Sequence, residues 1–128
     1  MKRRKLKLQV QVSLDGFIAG AKGEMDWMTW NWDEALIEYV ANITKPVDTI
    51  VLGRVLAEGF INHWAAAAAE KPASEDPFAH QMTNVQKIVF TKTLENNEWS
   101  HNTDLAKGSL VSEIKALKKV KGGGDIIA

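Results

Sequence analysis

VDTIVLGR, residues 47–54, is a short apolar run closed by a glycine and followed at once by an arginine. Its apolar residues do not alternate with polar ones, so the run predicts a strand buried on both faces, of the kind found at the centre of parallel sheets. From Arg54 to Ala69 the spacing becomes helical: Val55, Leu56, Phe60 and Trp64 recur at intervals suited to burial, and the alanines at 65–69 have high helix propensity. The remaining chain is laid out around this unit of strand, glycine and helix.

Upstream, Leu6, Leu8, Val10, Val12 and Leu14 alternate with Lys7, Gln9, Gln11 and Ser13, which predicts a strand over residues 6–14 with one apolar face. Asp15-Gly16 ends it, and a loop containing Gly20 and Gly23 delivers Glu24, Asp26 and Trp27. Asn31 or Asp33 caps a helix that runs to about Ile43, with Leu36, Val40 and Ile43 on one stripe, and Pro46 marks its end. Downstream, residues 71–77 read as a loop whose Asp76-Pro77 caps a short helix to Thr83. A brief strand covers Lys87 to Thr91, a polar turn follows around Glu95 to Glu98, and a further short strand covers Asn102 to Leu105. Ser109 caps a helix with Leu110, Ile114 and Leu117 on one face and lysines 115, 118, 119 and 121 outside it; Gly122 to Gly124 stop it, and residues 125–128 start a buried strand. Strands alternating with helices predict an α/β fold with a mostly parallel central sheet flanked by helices.

Composition narrows the function. A chain of 128 residues, 45% apolar, suits one domain with a real core. Basic and acidic residues number 16 each, so no net charge favours nucleic acid or an anionic membrane. The cluster Lys2 to Lys5 reads as a solvated lead-in, because it runs straight into a strand without interleaved aromatics. The absence of cysteine excludes a disulfide framework and a thiolate nucleophile. No apolar run approaches the ~18 residues of a membrane span, so the expectation is a soluble cytoplasmic protein. His63, His80 and His101 lack metal-ligand spacing, and no metal site is expected.

In parallel sheets ligands lie where strands end and helices begin, and three such junctions occur: Ser13 to Gly20, Leu52-Gly53-Arg54 and Phe90-Thr91-Lys92. At Gly53-Arg54 a glycine admits a ligand to the backbone, a helix start offers free amides and Arg54 adds a bidentate cation, which together suit a phosphate. Packing alone also explains a glycine after a buried strand. Thr91-Lys92 adds a hydroxyl and a second cation. Asp26-Trp27 suits a nitrogen heterocycle, held by a hydrogen bond and by stacking, although Trp27 as a core lid is the alternative. Gln9 and Gln11 are unusually polar for a central strand and need either a polar ligand or solvent beside them.

SLDGFIAG with GEMDWM, DTIVLGR followed by EGF, KIVFTKTLE and GDIIA occur in an order that resembles the dihydrofolate-reductase-like proteins, among them the C-terminal reductase domain of bacterial riboflavin biosynthesis enzymes. The resemblance implies a reductase using NADPH on a pteridine- or aminopyrimidine-type substrate. It implies that Ile18, Ala19 and Gly20 lie near the nicotinamide, Gly53 and Arg54 at the cofactor phosphates, and Thr91 and Lys92 near the ribose 2′-phosphate. Gln9, Gln11 and Trp27 would line the substrate pocket, and Asp26 would orient or protonate the substrate. Leu56 stands where relatives carry a threonine whose hydroxyl helps hold phosphate. Relatives also continue beyond the last strand into a Gly-Gly turn, so residues 1–128 are expected to form a single truncated domain lacking the C-terminal strands. A sheet edge left uncovered in that way implies, as an alternative function, a non-catalytic domain that pairs into a homodimer.

Overall fold

The computed structural model describes residues 3–28, 31–99, 102–120 and 123–128. His101, Lys2, Lys121 and Gly122, all used in the sequence reading, lie outside the described residues. The elements in chain order are β1 (Leu6–Lys7), α1 (Glu34–Thr44), β2 (Val47–Gly53), α2 (Arg54–Glu70), α3 (Pro77–Asn84), β3 (Gln86–Phe90), β4 (Thr103–Ala106), α4 (Leu110–Lys119) and β5 (Asp125–Ile127). The strands form one sheet in the order β1-β5-β2-β3-β4, with every pairing parallel. This is the expected α/β architecture with its apolar run at the centre.

β2 earns its central position by composition. Ile50 and Leu52 face a core shared with Ala57 and Phe60 of α2, Met82 of α3, Val89 and Ile127. Thr49 and Val51 point the other way and are also buried, so the strand is covered on both faces, as its unbroken apolar run predicts. α2 and α3 pack on each other over this core, where the Trp64 ring meets the edges of Phe60 and Phe78 at centroid distances of 6.2 and 5.1 Å. Side-chain caps open three helices: Asp33 accepts from the Leu36 amide, Asp76 from Ala79 and Ser109 from Ser112. Of the two residues offered for the first cap, Asp33 is the one used.

Three expectations fail. The strand over residues 6–14 shortens to Leu6–Lys7, because its partner is β5 and the last rung runs from the Gln9 amide to the Ala128 carbonyl at 3.2 Å. Beyond that rung no strand of the described residues lies alongside, and Leu8, Val10, Val12 and Leu14 remain largely exposed despite their alternation. Val55 and Leu56, read as buried, are 81% and 52% exposed, and Ala57 is the first residue of α2 to reach the core. The basic cluster is not all solvated: Arg4 is 6% exposed. Its Nε donates to the Gly124 carbonyl (2.8 Å), Nη1 to the Leu117 carbonyl (2.9 Å), and Nη2 to the Thr49 hydroxyl (2.9 Å) and the Asp48 carboxylate. A run of cations in sequence hides the one that the fold uses as a tie.

Candidate functional site

Parallel pairing sets the strand ends side by side. Gly53 is level with Phe90, and Phe90 with Ala106, so Gly53-Arg54 and Thr91-Lys92 leave the carboxyl edge of the sheet as neighbours. Arg4, Asp48 and Gly124 tie the opposite, amino edge. Scaffold and candidate site thus occupy different ends of the same strands.

Gly53 has φ −75° and ψ 155°, a conformation open to any residue, and a Cβ there would meet nothing within 4 Å. Neither backbone strain nor packing calls for glycine, and among the described residues no side chain caps the start of α2. Bare amides at a helix start, beside a cation, are the physical requirements for an anion. Arg54 is exposed, and among the described residues no carboxylate lies within 4.0 Å of it. These residues fit the pyrophosphate of a dinucleotide.

Thr91 is buried; its amide donates to the Ala106 carbonyl (3.2 Å), and its hydroxyl accepts from the amides of Thr93 (3.2 Å) and Leu94 (3.0 Å). It fastens the loop after β3, while Lys92 is exposed beside it. Behind the strand, burial pushes the Lys87 ammonium below its ordinary pKa, and it donates to the Thr83 (2.7 Å) and Val85 (3.0 Å) carbonyls where α3 ends.

A concavity of about 580 Å³ opens in the loop after β1 and brings together Ala19, Gly20 and Trp27 with Ser13, Asp15 and Phe17. Ser13 organises its rim. The Ser13 hydroxyl donates to Asp15 (2.6 Å) and accepts from the Phe17 amide (2.9 Å), and the Ser13 amide donates to the Phe17 carbonyl (2.8 Å). Gly16 and Gly23 have φ of +93° and +81°, left-handed values that favour glycine and turn the loop at both ends. Ile18 and Asp26 are exposed, and Gln9 and Gln11 half-buried; none of the four lines this concavity.

A second cleft, about 290 Å³, starts at Arg54 and continues along α2 through Glu58 and Asn62, closed by Leu94, Glu98 and Trp99 from the segment after β3. Sequence reading missed it, although Arg54, Glu58 and Asn62 recur at the spacing of one helical stripe. No group of acidic or histidine side chains able to hold a metal occurs among the described residues. No helix of the described residues is long and apolar enough to cross a membrane.

The sequence model of the RibD C-terminal domain family matches residues 4–121. The chain is also 29% identical, over 122 residues, to the Bacillus subtilis (strain 168) protein YyaP, which is described as uncharacterized. That alignment takes in 95% of this chain and 61% of the relative, so the chain spans about three-fifths of the length of the protein it matches.

Proposed function

The chain belongs to the RibD C-terminal domain family, and from that premise we propose that it is a reductase transferring hydride from a reduced nicotinamide dinucleotide, NADPH by family resemblance, to a pteridine- or aminopyrimidine-type ring. The observation that carries this reading is the pairing of the Gly53-Arg54 and Thr91-Lys92 strand ends on one edge, with glycine at a position whose own fold does not require it. The bound dinucleotide supplies the hydride. The protein's part is to hold and orient: the opening amides of α2 and the Arg54 guanidinium take the pyrophosphate. Ile18, Ala19 and Gly20 form the cofactor side of the loop, Trp27 offers a ring face to the substrate with Gln9 and Gln11 behind it, and Asp26 orients or protonates the substrate. Titration of the purified chain with NADPH, followed by tryptophan fluorescence, tests the reading.

A second reading, a domain that pairs with another copy of itself, draws on the edge beside β1, where Leu8, Val10, Val12 and Leu14 lie exposed in the segment that follows the strand. Light scattering separates the two. A dimer that takes up no dinucleotide favours pairing alone, and a 14.2 kDa monomer excludes it.

A further inference from the structure

We infer that the amino edge of the sheet is a docking surface for an anionic lipid membrane, with Arg3, Lys5, Lys45, Lys118 and Lys119 as its cations. This surface lies at the opposite end of the strands from the dinucleotide site and does not depend on that reading.

Two basic runs that are far apart in sequence meet at this edge. Arg4 and Leu117 are 113 positions apart, yet the Leu117 carbonyl accepts both from Arg4 Nη1 (2.9 Å) and from the Val120 amide (3.2 Å). That junction brings Arg3 and Lys5 to the Lys118-Lys119 end of α4. Lys7 adds the end of α1, since its Nζ donates to the Ile43 carbonyl (2.9 Å), two residues before Lys45. Inside the edge the charges cancel, because the Asp48 and Asp125 carboxylates are ion-paired with Arg4 and Lys7. Outside they do not. Arg3, Lys5, Lys45, Lys118 and Lys119 are all exposed, and among the described residues no carboxylate comes within 4.0 Å of any of them. A net charge of zero over the whole chain thus conceals a local surplus of cations.

The character of the edge selects among polyanions. A single strand of nucleic acid or an acidic peptide is held in a groove, and neither concavity described above takes a residue from this edge. No aromatic residue adjoins these cations in the chain to stack on a base. Apolar side chains do adjoin them: Leu6 follows Lys5 and is 45% exposed, and Val120 follows Lys119 and is 54% exposed. Cations for the headgroups, with exposed apolar side chains beside them, are what an anionic bilayer surface requires.

The test is sedimentation of the intact chain with vesicles of phosphatidylcholine alone and of phosphatidylcholine mixed with phosphatidylserine, at low and at high salt. Binding is expected to the mixed vesicles only, and it should weaken as salt screens the charges. Lys118→Gln with Lys119→Gln, and separately Arg3→Gln with Lys5→Gln, should each lower the partition coefficient about 25-fold, or about fivefold per cation. Lys107→Gln removes an exposed cation just past β4, at the other edge, and should leave partition unchanged. All these side chains are exposed, so urea midpoints should match the wild type. Equal binding to both kinds of vesicle, no binding to either, or binding to duplex DNA without binding to vesicles would overturn the inference. So would a fivefold loss in Lys107→Gln, which would make the effect one of total charge alone.

Discussion

Arg4 and Asp48, 44 positions apart in the chain, meet in a charge pair at the amino edge of the sheet. The same guanidinium reaches the Leu117 and Gly124 carbonyls, and the Asp48 carboxylate also accepts from the Gly124 amide at 2.6 Å. One side chain therefore joins the segment before β1, the start of β2, the end of α4 and the approach to β5. Gly124 has to be small there, since a Cβ would lie 2.2 Å from the Pro46 carbonyl oxygen.

Arg4→Met removes this tie, taking the guanidinium away from the Gly124 and Leu117 carbonyls, the Thr49 hydroxyl and the Asp48 carboxylate. A loss of about 2–4 kcal/mol is expected, because a buried hydrogen-bonded charge is being deleted from a pair whose other member is half exposed. Urea unfolding measures it, and a change under about 0.5 kcal/mol would show that the network contributes nothing.

Acid should unfold the protein through Asp48 and Asp125. Burial alone would raise the Asp48 pKa, but the Gly124 amide, the Thr49 hydroxyl and Arg4 outweigh it and hold the group below the ordinary 3.8. At Asp125 the hydrogen bond from Lys7 (2.8 Å) leads and outweighs burial, with the same net direction. Because the folded values lie below the unfolded ones, the stabilisation is complete above the unfolded pKa and is lost as pH falls through the folded values. Urea midpoints are therefore expected to decline below about pH 4. The decline should be shallower in Asp48→Asn and Asp125→Asn, and identical slopes would contradict this assignment.

Lys87 also has a lowered folded pKa, but there it is the charged form that folding disfavours. Burial depresses its folded pKa below 10.5, so holding the ammonium charged disfavours folding, and that penalty eases as pH rises through the folded value. Wild-type stability measured against Lys87→Met is expected to rise between pH 8 and pH 10, about the window beneath the unfolded lysine pKa. A difference that stays flat, or falls, over that window would show that burial does not govern this lysine.

Gly53→Ala separates folding from binding. With φ at −75° and open space around a new Cβ, stability should fall by no more than about 1 kcal/mol, the cost of alanine in place of glycine at the N-cap of α2. Dinucleotide affinity should nevertheless fall, because the methyl occupies the approach to the α2 amides, and Arg54→Met should lower it further through loss of the cation. Unchanged affinity in both variants would mean that this strand end is not the anion site.

What could be read in the sequence follows the range of the interactions involved. Val47–Gly53, the Asp76-Pro77 cap and the Ser109 cap are specified by neighbours within a few residues, and the structure has them where the residues point. β1 is different, because alternation from Leu6 to Leu14 states which face is apolar but not whether a partner lies alongside, and the pairing ends at Gln9. Burial of Arg4 depends on residues more than 100 positions away, so a local cluster of cations cannot disclose it. At the candidate site, Ala19, Gly20 and Trp27 converge on one concavity, whereas the Glu58 and Glu98 cleft depends on the β3 segment folding back against α2.

The most direct test of the central claim is fluorescence titration of the purified chain with reduced nicotinamide dinucleotide, since Trp27 and Trp99 each line a cleft at which one would bind. Saturable quenching that is weakened in Arg54→Met is the expected result. Absence of quenching up to about millimolar dinucleotide, an affinity no better than about −4 kcal/mol, would contradict it.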